Sequence, residues 1–430
     1  MSIKPVSTTI SPEGTLEIGG VSVLDLAKQY GTPLYVIDQA TLEYNCRQYT
    51  DTLKKVYPNH LVTFAGKANL NVGLLNILAQ EGLGVDVVSG GEIMTALKSN
   101  MKPENIIFHG NNKSCDELEL AIKNEIKLMV DNAQELNNII AITEKLGLTA
   151  TLLIRLKPEI EAHTHDFIKT GQIDSKFGLD LKELIPFIQK IQQHKQLHFA
   201  GIHSHIGSQI FDCAPFEELA HLMVKHAVEI KNATGVSVDI INCGGGMGIQ
   251  YVAQDDPPVM ADYLEKMTTI LKQECDKAGL KQPKLMLEPG RSIVGNAGVT
   301  LYSVGTLKSI PGVKDYIFID GGMADNPRPM LYQSQYTFTI ANKTTQPHTH
   351  TYAVAGKYCE SGDVLTHQVK LPEAEVGDIV CVFGTGAYNY SMASNYNRCL
   401  RPAMVVVNET QSRLLVERET FEDILRHDLA

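Results

Sequence analysis

The chain has 430 residues and a formal net charge of −11 at pH 7. The length predicts one large domain together with a smaller one. The acidic balance excludes a nucleic-acid or anionic-membrane surface, because both need clustered Lys and Arg. No apolar run reaches membrane-spanning length, and the opening MSIKPVSTTISPEG lacks the regions of a signal peptide. The eight cysteines are scattered without a CxxC pair, so we expect reduced thiols in a cytoplasmic protein.

Short apolar runs alternate with amphipathic stretches over most of the chain. The helical spacing of apolar residues over 72–82 and 116–125 predicts helices between the runs. Eight β-α units over roughly 230 residues have the dimensions of a (β/α)8 barrel. The runs that predict its strands are 61–67, 84–89, 105–110, 127–132, 151–157, 199–207, 238–246 and 283–291.

After about residue 295 the pattern changes to short strands separated by Gly and Pro turns, which predicts a β domain. These predicted strands lie within 303–310, 315–322, 336–342, 349–359, 378–384 and 403–409. The opening GTLEIGGVSV (14–23) has the same character and could join them. We therefore expect an α/β plus β protein, with an N-terminal segment 1–35 contributing to the β domain, a barrel over 36–295 and a C-terminal β domain over 296–430.

Nearly every predicted barrel strand ends in polar or glycine residues. Barrels build their active sites at the carboxyl ends of the strands, so these residues predict one pocket. For a single residue, a strand that simply meets solvent is the ordinary explanation. An active site is favoured when four strand ends are considered together, because they carry a lysine, a histidine, a triple glycine and a Glu-Arg pair. The residues are Lys67, Asp86 with Ser89, His109, Asp131 with Asn132, Arg155, His205 with Ser208, Gly244 to Gly246, and Glu288 with Arg291.

Four motifs have an ordinary explanation beside the functional one. CGGGMG (243–248) suits a phosphate against backbone N–H groups, but alone it is as often a tight turn. LEPGR (287–291) alone is more often a surface ion pair. The two histidines of HSHIGSQ (203–209) share one face of a strand, and with no third ligand nearby a non-metal role is favoured. YCESGD (358–363) holds a thiol beside two carboxylates, and a lone cysteine is more often a small buried hydrophobe.

Together, these residue types match what pyridoxal phosphate requires. A lysine forms the Schiff base, glycine N–H groups hold the phosphate, and a carboxylate keeps the pyridine nitrogen protonated. Throughout its length the sequence resembles the fold type III pyridoxal-phosphate-dependent decarboxylases, and within them the members that act on meso-2,6-diaminopimelate. The resemblance is carried by GTPLYVIDQATL (31–42), HTHDFIKTGQIDSKFG (163–178), HSHIGSQIFD (203–212), EPGRSIV (288–294), DGGMADNPRPMLY (320–332), CESGDVL (359–365) and GAYNYSMASNYN (386–397).

The resemblance implies a role for each matching residue. Lys67 would be the Schiff-base lysine, His205 the imidazole stacked on the cofactor ring, and Cys359 the proton donor. No metal is implied. The cofactor contacts would come from Lys67, His205, Ser208, Gly245, Gly246, Glu288, Pro289, Gly290, Arg291 and Tyr388, and the substrate contacts from Arg291, Arg328, Tyr332, Glu360 and Tyr388.

The resemblance also implies the reaction, which is decarboxylation of meso-2,6-diaminopimelate at its D centre to L-lysine and CO2. It implies a cytoplasmic homodimer with shared active sites, a barrel joined to a β-sandwich-like domain as in alanine racemase, and a mobile segment at 170–178. Two positions depart from the commonest family pattern. Gly66 stands where a serine often precedes the lysine, and Met404 stands where a glutamate often follows RPA. Both departures concern substrate selection.

Three alternatives are weighed against this interpretation. A decarboxylase of ornithine, lysine or arginine has no distal substrate carboxylate to bind, so Arg328 and Arg291 count against it. An alanine-racemase-like enzyme would place an arginine near the ring nitrogen, where Glu288 stands. A non-catalytic pyridoxal-phosphate-binding homologue would be expected to lack Lys67 or Cys359, and both are present.

Overall fold

The computed structural model describes residues 2–157 and 176–429. They divide into two compact units. The barrel unit consists of Cys46–Gly248 and Pro257–Gly290, and the β unit consists of Met1–Asn45, Ile249–Asp256 and Arg291–Ala430. The domain boundaries expected at residues 35 and 295 stay a prediction. Within the described ranges, none of the helices has the length and apolar character needed to cross a membrane.

The strands, in chain order, are β1 (Thr9–Ile10), β2 (Leu16–Ile18), β3 (Val21–Ser22), β4 (Leu34–Asp38), β5 (His60–Ala65), β6 (Gly84–Val87), β7 (Ile106–Phe108), β8 (Lys127–Val130), β9 (Ala150–Arg155), β10 (Leu197–His203), β11 (Ile240–Asn242), β12 (Lys284–Leu287), β13 (Gly298–Ile310), β14 (Lys314–Ile319), β15 (Phe338–Ile340), β16 (His350–Ala355), β17 (Val364–Leu371), β18 (Ile379–Phe383), β19 (Ala403–Asn408) and β20 (Gln411–Val416).

The α-helices are α1 (Val23–Tyr30), α2 (Gln39–Val56), α3 (Val72–Gln80), α4 (Gly90–Lys98), α5 (Cys115–Lys123), α6 (Ala133–Leu146), α7 (Leu181–Gln192), α8 (Ala214–Thr234), α9 (Met260–Lys277), α10 (Arg291–Val294), α11 (Arg328–Tyr332) and α12 (Phe421–Leu425).

Strands β5 to β12 form a closed parallel barrel, which confirms the predicted fold. Each predicted apolar run overlaps one of these strands, and the helices predicted over 72–82 and 116–125 are α3 and α5. One buried residue from each of six strands fills the barrel interior, as the layered packing of such barrels requires. These residues are Ile107, Met129, Leu153, Ala200, Ile240 and Met286.

Two of the polar strand ends serve the helices that follow them. The Ser89 hydroxyl accepts a hydrogen bond from the Glu92 N–H and caps α4. The Asn132 side chain accepts one from the Glu135 N–H and caps α6. Helix starts have unpaired N–H groups that such side chains satisfy, so local helix formation explains these two residues.

The β unit is built on a mixed sheet in the order β17-β16-β14-β13-β4-β19-β20, with β18 also pairing with β13 and β15. The segment 14–23 supplies β2 and β3 of a separate three-stranded sheet. Leu16 and Ile18 from β2 lie in one buried cluster with Leu301 of β13 and Val405 of β19. The N-terminal strands therefore share the apolar core of the β unit.

Candidate active site

The centre of the barrel unit holds one carboxylate contacted by side chains from three other strands. Glu288 directly follows β12 and is buried. His109 Nε2 lies 2.8 Å from its Oε1, and His203 Nε2 lies 3.1 Å from its Oε2. The Asn242 amide donates to Oε1 at 2.6 Å. These contacts fix the carboxylate in one orientation at the carboxyl ends of the strands.

The charge states at this centre follow from burial and from the histidines. Burial opposes ionisation of Glu288, but its interactions with His109 and His203, which include a hydrogen bond from each, outweigh burial and hold the pKa of Glu288 well below the usual range. Burial lowers the pKa of His203 to about 4, although Glu288 opposes the shift. At neutral pH, His203 is therefore a neutral imidazole that donates Nε2–H to the Glu288 anion.

A second buried carboxyl group lies beside this network. Asp86 Oδ1 is 3.9 Å from His109 Nε2 and has no hydrogen-bond partner among the described residues. Burial raises the pKa of Asp86, and the Glu288 charge raises it further, while His109 opposes both effects. Glu288 therefore stays ionised at a lower pH than Asp86 does.

Lys67 lies in a tight turn, Gly66–Ala68, directly after β5, with an exposed side chain between two buried residues. Its amine has no hydrogen bond or ion pair within the described part of the chain. The Ala65 N–H donates to the Pro289 carbonyl at 3.1 Å. At Gly290, a Cβ would lie 3.0 Å from the Cβ atoms of Ala65 and Ala68. The turn that follows Glu288 is therefore packed against the turn that carries Lys67.

His205 lies in the loop after β10 and is half-buried. Burial lowers the pKa of His205 well below its usual range, and the positive charges of Lys67 and Arg155 lower it further. The structure thus brings the imidazole near Lys67 as a neutral ring. Its stacking on a cofactor stays a prediction.

The glycine turn after β11 presents backbone donors. Asn242 Oδ1 accepts from the Gly244 N–H at 2.9 Å, so the same amide group holds both Glu288 and this turn. A Cβ at position 245 would lie 2.1 Å from the Glu288 carbonyl oxygen, which requires glycine. In residues 2–157 and 176–429, the N–H groups of Gly245 and Gly246 have no acceptor. Adjacent unpaired N–H groups form an anion-binding concavity.

The loop 206–210 is held next to this turn. Ile210 N–H donates to the Gly246 carbonyl at 3.0 Å, and the Ile210 carbonyl accepts from Gly248 N–H at the same distance. Ser208 lies in this loop and is half-buried. Ser208 and the glycine turn therefore occupy neighbouring positions at the carboxyl end of the barrel.

The barrel residues fit pyridoxal phosphate. A free amine at Lys67 suits the cofactor aldehyde, the unpaired N–H groups of Gly245 and Gly246 suit its phosphate, and the Glu288 anion suits a protonated pyridine nitrogen. The ligand atoms of His109, His203 and Glu288 also lie within 4.8 Å of one another, as metal ligands do. They already contact each other at 2.8 and 3.1 Å, so a metal would have to break both contacts.

The β unit contains a cluster of arginines and tyrosines. The guanidinium groups of Arg291 and Arg328 lie over the Tyr388 ring, 4.8 and 5.3 Å from its centroid. Arg328 also lies 4.9 Å from the centroid of Tyr332, and Arg291 donates to the Tyr251 hydroxyl at 2.6 Å. The predicted substrate residues 291, 328, 332 and 388 are therefore grouped, and Tyr251 is a member that the sequence did not indicate.

Arg328 is a buried arginine of this cluster. Across the described ranges no carboxylate pairs with it, and its Nε has no hydrogen-bond partner. A buried guanidinium without an anion is costly, and its planar fork matches a carboxylate. The site therefore has the chemistry to bind an external carboxylate.

Cys359 and Glu360 are exposed in the loop between β16 and β17 of the β unit. The Cys359 N–H donates to Asn397 Oδ1 at 2.9 Å. An exposed thiol is available to react with a bound molecule, whereas the other interpretation, a small buried hydrophobe, does not fit its exposure.

The two departures from the family pattern occupy tightly packed positions. A Cβ at Gly66 would lie 2.7 Å from the Asp86 carbonyl oxygen, so a serine would require a backbone shift. Met404 is fully buried in β19. Of the predicted mobile segment 170–178, residues 170–175 lie outside the described residues.

Comparison with known proteins assigns the barrel to a class. Residues 42–295 match the family model described as pyridoxal-dependent decarboxylase, pyridoxal binding domain. The chain belongs to the fold type III pyridoxal-phosphate-dependent decarboxylases, which makes it a carboxy-lyase with pyridoxal phosphate as its cofactor.

Full-length relatives narrow the class. The chain is 45% identical to the diaminopimelate decarboxylase of Synechocystis, over 99% of this chain and 93% of the relative, and 44% identical to that of Bacillus subtilis, over 97% and 95%. The crystal structure of the M. jannaschii diaminopimelate decarboxylase with L-lysine has a TM-score of 0.91 and 34% identity, over 99% of this chain and 98% of that one. Within the class, the chain belongs to the diaminopimelate decarboxylase family.

Proposed function

We propose that the chain removes the carboxylate at the D centre of meso-2,6-diaminopimelate and releases L-lysine and CO2. The observation that carries the reaction type is the buried Glu288 anion with its three hydrogen-bond partners. A carboxylate there keeps a pyridine nitrogen protonated, which is the condition for a strong electron sink. Racemisation needs a weaker sink and would be served by an arginine at this position.

Pyridoxal phosphate, when bound, supplies the ring that accepts the electron pair left by the departing CO2. Glu288 would hold the proton on the ring nitrogen, and His109, His203 and Asn242 keep the carboxylate aligned. The Lys67 amine would hold the cofactor through its aldehyde.

The other barrel residues hold the cofactor in place. The N–H groups of Gly245 and Gly246 would bind the phosphate, together with Ser208 and the turn from Pro289 to Arg291. His205, whose pKa is lowered well below its usual range, would contact the cofactor ring as a neutral imidazole. Arg291 and Tyr388 serve both phosphate and substrate.

The distal end of the substrate carries a carboxylate and an amine. Arg328 with Tyr332 binds that carboxylate, and Glu360 binds the amine, through charge-assisted hydrogen bonds. The unpaired Arg328 guanidinium supports this assignment, because ornithine, lysine and arginine offer no such carboxylate. After CO2 leaves, Cys359 donates the proton to the α-carbon as general acid.

We also propose a cytoplasmic homodimer in which Cys359 and Glu360 of one subunit complete the site of its partner. All eight cysteines are free thiols, as expected in a reducing compartment. The acidic chain is expected to bind neither nucleic acid nor membrane.

The decisive experiment measures CO2 release by the purified, pyridoxal-phosphate-loaded chain. We expect turnover of meso-diaminopimelate and little release from ornithine, lysine or arginine. Preferential turnover of one of these three would assign the chain to the basic-amino-acid decarboxylases, and no turnover of any substrate would favour the non-catalytic alternative.

A further inference from the structure

Tyr358, the residue before Cys359, is held by two buried carboxylates of the β unit. Its hydroxyl donates to Asp325 Oδ1 at 3.0 Å, and its backbone N–H donates to Asp363 Oδ2 at 2.8 Å. Asp325 and Asp363 are 1% and 3% exposed, so solvent does not compete for these contacts. One carboxylate therefore holds the side chain of Tyr358 and the other holds its backbone.

The backbone before Tyr358 is fixed to the segment that contains Asp325. The Lys357 N–H donates to the Gly321 carbonyl at 3.1 Å, and the Gly356 N–H donates to the Asp363 carbonyl at 3.0 Å. A Cβ at Gly356 would lie 2.2 Å from Asp363 Oδ2, so the backbone at Gly356 packs directly against this carboxylate. The backbone of residues 356–358, which leads to Cys359, is therefore held by hydrogen bonds at each residue.

Asn397 holds the backbone of Cys359 itself. Its side-chain oxygen accepts from the Cys359 N–H at 2.9 Å, and its own backbone is left-handed, with φ of 53°. Asparagine tolerates this conformation better than most residues. Segments from three motifs of the sequence analysis, 320–332, 359–365 and 386–397, therefore meet at the residue pair 358–359.

We propose that Asp325, Asp363 and Asn397 are positioning residues that hold the Cys359 thiol where it can transfer its proton. Asp325 and Asp363 act through their hydrogen bonds to Tyr358, and Asn397 acts through its hydrogen bond to the Cys359 backbone. The inference rests on the proposed role of Cys359 as general acid. Proton transfer needs the donor within hydrogen-bond reach of the carbon it protonates. An exposed loop thiol meets that requirement only if its backbone is fixed, which these four residues accomplish.

The test uses two matched substitutions around the same carboxylate. Tyr358→Phe removes the hydroxyl bound to Asp325 Oδ1. Tyr302→Phe removes the hydroxyl bound to Oδ2 at 2.5 Å, and Tyr302 lies on β13, which is not part of the loop that contains Cys359. We expect Tyr358→Phe to lower kcat by about tenfold with KM within about twofold. Tyr302→Phe should change neither, although both variants lose one hydrogen bond to Asp325.

Two further readouts separate positioning from general stability. In D2O, wild type should place deuterium on one face of the new C–H centre of the product, and Tyr358→Phe should give a mixture of both faces. The alkylation rate of Cys359 relative to exposed Cys115 should also change by about threefold or more in this variant. Equal behaviour of the two Phe variants in these readouts would overturn the proposal.

A second pair of substitutions, at Asn397, tests the proposal if the Tyr358→Phe variant does not fold. Asn397→Ala removes the acceptor of the Cys359 N–H, while Asn397→Asp keeps an oxygen there, so only the alanine variant should lose kcat and stereospecificity. Retained stereospecificity in Asn397→Ala would contradict the inference. Cys359→Ala is assayed in parallel, and full activity of this variant would instead remove the proposed role of Cys359 itself.

Discussion

The Asn242 amide nitrogen lies 2.6 Å from Glu288 Oε1, and the oxygen of the same side chain accepts the Gly244 N–H. One residue at the end of β11 therefore couples the carboxylate expected at the pyridine nitrogen to the turn expected at the phosphate. Any change in its donor group should affect both ends of the cofactor at once.

Asn242→Asp replaces that donor with a second negative oxygen. Two carboxylates in contact cannot both stay ionised, so the pKa of one must rise. We expect pyridoxal phosphate affinity to fall by about 30-fold or more, against about tenfold for Asn242→Ala, which loses only the hydrogen bond. Equilibrium titration with the cofactor measures both. The surface change Asn100→Asp is the control, and equal losses in the aspartate and alanine variants would contradict the coupling.

His203 should make stability depend on pH. Its pKa is about 4 in the folded chain and 6.5 in its unperturbed state, so between these values the unfolded chain binds a proton that the folded chain does not. The stabilisation is complete above pH 6.5 and is lost as the pH falls toward 4. At about pH 5 the loss amounts to about 2 kcal/mol in the free energy of unfolding.

The measurement is urea unfolding at about pH 7 and about pH 5. His203→Asn should show a smaller difference between the two pH values than wild type. His198→Asn is the matched control, because His198 lies exposed on the same strand. An undiminished pH dependence in His203→Asn would assign the acid sensitivity to other groups.

The sequence predicted the barrel because its strands are buried and read as short apolar runs, each ending in polar residues. The same local pattern located Lys67 and Glu288. It could not reveal that His109 and Asn242 contact Glu288, because strands far apart in sequence become neighbours only when the barrel closes. His109 was predicted as a polar strand end, whereas the only local signal for Asn242 is its position just before the glycine motif 243–248.

In the β unit, a strand could be predicted from the sequence only where its buried residues form an apolar run. The sequence did not predict β17 and β20, because few of their residues are buried and they contain no apolar run. Strand β4 is buried throughout, but its five residues were noted only as part of a family motif. Tyr251 joined the arginine cluster without any local signal, since its partner Arg291 lies 40 residues away.

The purified chain should carry pyridoxal phosphate covalently at Lys67. This lysine has no partner in the described residues and lies in the turn packed against Pro289 and Gly290. Borohydride reduction followed by peptide mapping should find the pyridoxyl group there. Recovery of the label on Lys113, which is buried and already paired with Glu135, or on any other lysine, would refute the assignment.

Arg328→Ala should impair diaminopimelate turnover far more than cofactor binding. Loss of a charge-assisted pair to a buried carboxylate costs about 2–5 kcal/mol, which is roughly 30-fold to several thousandfold in kcat/KM. Steady-state kinetics and cofactor titration give the two quantities. Arg413→Ala, on exposed strand β20, is the control for removal of a positive charge. Unchanged kinetics in the Arg328 variant would exclude a role in binding the distal carboxylate.

Lys67 and Cys359 should complement each other between subunits. Cys359 follows the whole barrel in sequence, and in the family that this chain resembles the thiol loop serves the cofactor of the partner subunit. Lys67→Ala and Cys359→Ala should each be nearly inactive alone. A two-fold dimer of one variant with the other has one intact site and one doubly damaged site. Random reassortment makes half of the dimers mixed, so the mixture should recover about a quarter of wild-type activity.

The Lys67→Ala chain mixed with itself is the baseline. If subunit exchange is demonstrated and activity stays at that baseline, Cys359 serves the cofactor of its own chain.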